Sequence, residues 1–118
     1  MTSASLAFVF AQPRLHPSAR QGLDMLMMAV TLEQRCFAFF EGDGMSQLLA
    51  PDDSQIDPLK KILMLPDIFD FEAFYVSAEN LAQSPWSVAD FRVPVTVISD
   101  AEMSHLIASC KHTLRFGD

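Results

Sequence analysis

Short apolar runs alternate with helix-like segments along the chain. Five runs predict strands, namely Leu6–Phe10, Cys36–Phe40, Phe69–Val76, Val95–Ile98 and Thr113–Phe116, the last at an edge of the sheet. The first two are apolar throughout, which is typical of strands that are covered on both faces. The pattern therefore predicts one α/β domain over residues 1–118. We expect three layers, α/β/α, around a mainly parallel five-stranded sheet.

The predicted helices begin and end at recognisable signals. Ser18 with Gln21, and Ser99 with Glu102, have the spacing of capping boxes. The helices are expected at Ser18–Leu32, at Leu59–Leu65, from Ser77–Leu81 onward, and at Asp100–Cys110. Pro66 is expected to end the second of these, because proline is tolerated only in the first turn of a helix.

The first helix carries more apolar side chains than one sheet can cover. Its sheet-facing stripe is predicted to contain Leu23, Leu26, Met27 and Val30. Met25, Met28 and Leu32 point elsewhere, and we expect them to pack against another subunit. Methionine is common at such adaptable contact surfaces. The alternative is that the loop after Ala50, predicted over Ala50–Asp57, folds over them.

A glycine-rich turn, Glu41–Gly44, follows the second strand, and Met45–Leu49 then has the composition of a helical turn. Asp43 is placed to cap the free N–H groups of that turn. Strand, turn and helix start in this order are typical of parallel α/β sheets, where functional crevices lie at such joints. Whether a small ligand occupies the crevice near Asp43 stays open.

Charge and hydropathy narrow the possible partners. The 118 residues include fifteen acidic and eight basic side chains, for a formal net charge of −7. The basic residues are scattered, and only Lys60 and Lys61 are adjacent, so we expect no direct nucleic-acid binding. No apolar run approaches the roughly 20 residues that span a bilayer. The N-terminus also lacks the features of a secretory signal. We therefore expect a cytoplasmic protein without membrane contact.

Cofactor and metal sites are not indicated. Gly42 and Gly44 imitate the start of a dinucleotide fingerprint, but Gln47 stands where the third glycine belongs, and Glu41 and Asp43 would repel a pyrophosphate. A metal site would need clustered ligands at suitable intervals. His105, Cys110 and His112 are close in sequence, but His105 and Cys110 do not share one helical face. We expect neither a cofactor nor a metal.

The two cysteines, Cys36 and Cys110, are far apart in sequence and fit reduced structural thiols. A reactive cysteine needs partial exposure and a nearby helix N-terminus or cation. Cys36 opens a strand that is predicted to be buried. Cys110 ends a helix, where the helix dipole disfavours a thiolate. We expect both to be unreactive, and the alternative is a thiol enzyme that uses Cys110 with His112.

Four segments in order resemble the TusC/DsrF family of the DsrE-like sulfur-relay proteins. They are Phe8-Val9-Phe10, Ala19–Asp24, the stretch with Phe39-Phe40, Asp43-Gly44 and Gln47-Leu48-Leu49, and Leu114-Arg115-Phe116. Together they cover nearly the whole chain at the family's length. The resemblance implies a DsrE-like fold, of flavodoxin-like or Rossmann-like shape. The residues that carry the pattern, interpreted as fold and contact residues, are Gly22, Leu23, Asp24, Asp43, Gly44 and Gln47.

In the heterohexamers of that family, the sulfur-accepting cysteine belongs to the TusD/DsrE subunit and follows its third strand. The equivalent joint here is Val76-Ser77-Ala78, and the Ser77 hydroxyl cannot hold a persulfide. The resemblance therefore implies a non-catalytic subunit that assembles with TusB-like and TusD-like chains. Its role would be to support the delivery of sulfur for 2-thiolation of the wobble uridine of tRNA. A DsrF-type role in bacterial sulfur oxidation, the thiol enzyme named above and a ligand-binding homo-oligomer remain alternatives.

Overall fold

The computed structural model describes residues 5–50 and 57–117. It contains a five-stranded sheet in the order β4-β3-β2-β1-β5, and all four strand pairs are parallel. The strands are β1 Ser5–Phe10, β2 Arg35–Phe40, β3 Phe74–Ser77, β4 Thr96–Ile98 and β5 His112–Phe116. The predicted mainly parallel sheet is confirmed, and β5 lies at one edge as expected. Of the predicted loop Ala50–Asp57, residues 51–56 lie outside the described residues.

Helices lie on both faces of the sheet. The α-helices are α1 Pro17–Thr31, α2 Met64–Ile68, α3 Ala78–Gln83 and α4 Asp100–Ser109. Three 3₁₀ helices occupy Gly42–Leu48, Lys60–Leu63 and Val88–Asp90.

Alternate residues of β1 point to opposite layers, as strand geometry requires. Phe8 and Phe10 pack beneath α1 with Leu23 and Leu26, whereas Val9 packs against Met103 of α4. The apolar cluster on the α1 side is the larger of the two, and the rings of Phe8, Phe10, Phe40 and Phe116 stack within it. The three-layer arrangement is therefore the one predicted, with one apolar cluster on each side of the sheet.

The helix caps follow the prediction at α4 but not at α1. Ser99 Oγ accepts a hydrogen bond from the Glu102 N–H at 3.1 Å, and the Glu102 side chain accepts one from the Ser99 N–H. At α1 the N-cap is His16, whose Nδ1 accepts from the Ser18 N–H at 3.1 Å. The expected Ser18 cap is wrong because Pro17, with its fixed φ, already occupies the first helical position.

The helix expected to stop at Pro66 continues through it to Ile68. Pro66 is the third residue of α2, where the N–H has no partner within the helix and its loss costs nothing. The third strand is shorter than predicted and begins at Phe74. Asp70 has a left-handed backbone (φ 54°), and the Phe74 N–H bonds back to the Glu72 carbonyl, so the chain is not extended before that point.

Asp43 does not cap a helix. The turn after β2 is itself a 3₁₀ helix that begins at Gly42, and Asp43 lies exposed in its first turn with no side-chain cap bond. The free Gly42 N–H instead donates to Asn80 Oδ1 at 2.7 Å. A side chain from α3 therefore bonds the N–H at the start of this turn, and the cap expected from Asp43 is wrong.

Candidate functional site

The joint between β3 and α3 lies at the carboxyl edge of the sheet, where functional residues of parallel α/β folds collect. Ser77 ends β3, is 1% exposed and is the N-cap of α3. Its Oγ accepts from the Asn80 N–H at 3.1 Å and donates to a carboxylate oxygen of Asp100. The Asp100 N–H in turn donates to Glu79 at 3.1 Å. The hydroxyl is thus engaged as donor and as acceptor, and it fastens α3 to the first turn of α4.

A shallow crevice of about 270 Å³ adjoins this joint, between the turn after β2 and α3. Asp43, Asn80, Gln83 and Trp86 line it. Among the described residues of its wall there is one carboxylate and no cation. This composition gives an anionic ligand no charged partner.

Cys36 is not available as a nucleophile. Its side chain is buried in the α1 layer, and Sγ donates to the Gln34 carbonyl at 3.3 Å. Burial raises the pKa of the Cys36 thiol to about 11. Because the thiolate is the reactive form, this cysteine is inert at the pH of a cell.

Cys110 is half-buried and packs in the cluster on the α4 side of the sheet. Its Sγ donates to the Leu106 carbonyl at 3.5 Å, and the residue ends α4. His112 lies on the other side, in the wall of a groove beside α1. The structure therefore does not bring Cys110 and His112 together. Among residues 5–50 and 57–117, no three His, Cys, Asp or Glu side chains form a group that could hold a metal ion.

Two glycines of the family pattern allow close packing at β1. A Cβ on Gly22 would lie 2.5 Å from the Phe10 ring and 2.9 Å from the Phe116 ring. A Cβ on Gly44 would overlap the carbonyl oxygen of Phe10. Each position admits only glycine without a shift of its neighbours. Both residues therefore bring helices close to the sheet.

The other residues of the pattern serve the fold as well, apart from two exposed acids. Leu23 is a core residue of α1, 4% exposed. Gln47 is 3% exposed, and its Nε2 donates to the Gln12 carbonyl at 2.7 Å, which anchors the loop after β1. Asp24 and Asp43 are exposed. None of these side chains meets another in a catalytic arrangement within the part of the chain that is described.

The three apolar residues expected at an interface lie together on the surface. Met25 is 46% exposed, Met28 65% and Leu32 64%. They form one wall of an apolar groove of about 590 Å³. The other wall includes Leu6 and Leu114, so the groove runs between α1 and the edge strand β5. We call it the α1–β5 groove.

Asp100 and Asn80 were not found by sequence reasoning. Asp100 follows the capping residue Ser99 directly, but its contact with Ser77 depends on β3 and β4 being neighbours. Consecutive strands are usually adjacent in a sheet, and this tendency is the one signal that could have indicated the Ser77–Asp100 pair.

No helix in the described ranges is long and apolar enough to cross a bilayer.

Several known proteins are similar to this chain, although no protein-family model matches it. A "Protein TusC homolog" of Pasteurella multocida (strain Pm70) is 32% identical over 117 residues, which is 94% of this chain and 98% of that protein. Another, of Vibrio vulnificus (strain CMCP6), is 28% identical over 96% of this chain and 99% of its own length.

The fold also has a solved counterpart. The crystal structure of the ychN protein from E. coli superposes with a TM-score of 0.75 over 96% of this chain and 99% of that chain, at 12% identity. This likeness confirms the predicted DsrE-like, three-layer α/β/α fold. The Pasteurella multocida protein is 32% identical in sequence and aligns along nearly the whole of both chains. This chain therefore belongs to the TusC family.

Proposed function

We propose that the chain is a non-catalytic subunit of a sulfur-relay complex that supports 2-thiolation of the wobble uridine in tRNA. Membership of the TusC family is the ground for the relay role. The single observation that carries the non-catalytic assignment is that the β3–α3 joint holds a buried serine, Ser77, whose hydroxyl is fully hydrogen-bonded. In this proposal the sulfur-accepting cysteine belongs to a TusD-like partner.

A persulfide carrier needs a sulfur atom whose thiolate is stabilised and accessible. The β3–α3 joint supplies a helix N-terminus next to a strand end, but the residue there is a buried serine. A serine oxygen cannot hold a persulfide. The hydrogen bonds of Ser77 to Asn80 and Asp100 instead hold α3 against α4.

The two thiols of the chain do not compensate for this. Cys36 has a pKa of about 11 and is buried beneath α1. Cys110 lies at the C-terminal end of α4, where the helix dipole opposes a negative charge. These positions support a subunit that helps to assemble a sulfur relay and does not carry the sulfur itself.

The partners we propose are TusB-like and TusD-like subunits in a heterohexamer, with Met25, Met28 and Leu32 in a subunit interface. A contiguous groove of exposed apolar side chains is costly to leave in water, and its cover by a partner recovers that free energy. Because β5 is an edge strand of the described sheet, a neighbouring subunit could also pair with it beside the same groove.

We propose no direct contact with tRNA and no cofactor. The net charge of −7 opposes a phosphate backbone, so the tRNA would be reached through later carriers of the relay. The cytoplasm, where tRNA is modified, is the location that this role requires.

Deletion of the gene and mass spectrometry of the tRNA nucleosides test this proposal. We expect 2-thiouridine at the wobble position to be lost and then restored by the wild-type chain. Co-purification of the tagged chain should recover TusB-like and TusD-like proteins. Unchanged thiolation in the deletion strain would contradict the proposal, and a defect in sulfur oxidation instead would assign the chain the DsrF-type role.

A further inference from the structure

A second groove, of about 620 Å³, lies on the other flank of α1. Its floor is apolar and includes Met64 and Ile68 of α2, which are 37% and 64% exposed. Arg20, Lys60 and Lys61 form its rim, and all three are exposed. We call it the α1–α2 groove. It shares no lining residue with the α1–β5 groove.

The rim is basic in an otherwise acidic protein. Three of the eight basic residues of the chain stand around this one groove. Of the two carboxylates among the described lining residues, Asp57 already has a partner, since Arg92 Nη1 and Nη2 donate to its two oxygens at 2.5 and 3.1 Å. Asp67 is the remaining acid among the described lining residues. The groove therefore presents a net positive rim around exposed apolar side chains.

We propose that the α1–α2 groove binds an acidic amphipathic helix of a partner protein. The apolar stripe of such a helix would cover Met64 and Ile68, as in other helix-in-groove complexes. Its Glu and Asp side chains would pair with Arg20, Lys60 and Lys61. Charge complementarity of this kind sets partner choice and the rate of association more than it sets the affinity.

The chemistry of the floor favours a protein over a nucleic acid. Single-stranded nucleic acid binds through aromatic platforms that stack its bases, and the described lining residues include no aromatic ring. Phosphate contacts alone would also leave Ile68 exposed to water. An apolar, acidic helix satisfies both the floor and the rim. This inference does not depend on the relay role or on the α1–β5 groove.

Fluorescence anisotropy of the full chain with a labelled model peptide tests the proposal. The probe is a helical peptide with leucines at helical spacing and glutamates on both flanks, and the matched probe carries lysines in place of the glutamates. We expect the glutamate peptide to bind about tenfold tighter than the lysine peptide, with an affinity that falls as salt is added.

Variants locate the site. Lys60→Glu/Lys61→Glu should weaken binding of the glutamate peptide about tenfold and strengthen that of the lysine peptide. Ile68→Ser should weaken both, and Lys111→Glu, an exposed change outside the groove, should alter neither. Circular dichroism verifies that each variant is folded.

Three results would overturn the inference. One is equal affinity for the two peptides. Another is an unchanged affinity of the glutamate peptide for Lys60→Glu/Lys61→Glu. The third is tighter binding of a single-stranded RNA probe than of the glutamate peptide, with the same variants lowering it.

Discussion

Gly44 lies so close to β1 that any side chain there would meet the backbone of Phe10. Gly42, two residues earlier, has a left-handed backbone (φ 49°), but a Cβ there would meet nothing within 4 Å. Gly44 is therefore needed because there is no room for a side chain, whereas Gly42 is favoured because its backbone is left-handed. The sequence showed that the turn was glycine-rich. It did not show which glycine faced the strand, because that depends on how the turn packs.

Gly44→Ala should lower the free energy of unfolding by about 2–3 kcal/mol, because backbone atoms must move to admit the methyl group. Gly42→Ala is the matched control and should cost only about 1–2 kcal/mol, the strain of a left-handed alanine. Urea denaturation of both variants measures the difference. An equal loss in the two variants would contradict the packing that we describe for Gly44.

Cys36 predicts a dependence of stability on alkaline pH. Its folded-state pKa is about 11 against an ordinary value of 9.0, so the unfolded chain loses this proton first as the pH rises. The stabilisation is fully present below pH 9 and is lost as the pH rises toward 11.

In Cys36→Ala, the fall of the unfolding free energy over that pH range should be smaller than in the wild type by about 1 kcal/mol or more. Cys110→Ala serves as the comparison, and denaturation at a series of pH values is the measurement. Identical pH profiles for Cys36→Ala and the wild type would show that Cys36 is not buried as described.

At the scale of whole elements, the sequence pattern located each of the five described strands, but the continuous apolar runs of strands covered on both faces belong to β1 and β2, whereas β4 and β5 at the edges are only partly buried. Helix ends were predicted less well. The α4 cap follows from Ser99 and Glu102 alone, whereas α1 begins at Pro17 and is capped by His16, a residue type that does not signal a cap. The helix end expected at Pro66 is wrong because the sequence does not locate the start of α2 to within one helical turn.

α3 depends on one side chain at its start. Ser77 caps it and bonds to Asp100 of α4, so Ser77→Ala should destabilise the protein by about 1–2 kcal/mol, the usual range for a lost cap. Ser109→Ala removes an exposed hydroxyl that bonds only to the Leu106 carbonyl, and should cost less than about 0.5 kcal/mol. Thermal melts compare the two. A Ser77→Ala variant as stable as Ser109→Ala would contradict the structural role of this joint.

The whole molecule exposes apolar surface on α1 that its own sheet does not reach. That surplus was visible in the sequence, since seven apolar residues of one helix cannot all face one sheet. The groove that Met25, Met28 and Leu32 form beside β5 could not be predicted from the sequence, because it depends on the edge position of β5 in the sheet.

Met25→Glu/Met28→Glu should lower the stability of the isolated chain by no more than about 1 kcal/mol, because Met25 is 46% exposed and Met28 65%. Its binding to co-expressed TusB-like and TusD-like subunits should weaken at least about tenfold. Ser104→Glu/His105→Glu, exposed on α4, is the matched control. Native mass spectrometry counts the complexes, and intact assembly of the methionine variant would remove this face from the interface.

Sulfur transfer by a relay reconstituted with a cysteine-free form of this chain, Cys36→Ala/Cys110→Ala, tests the central claim most directly. Native mass spectrometry first establishes that the complex has assembled. A chain that only supports the complex should then allow transfer to the downstream carrier at the wild-type rate. Loss of transfer in the assembled complex would show that this chain carries sulfur on its own cysteine.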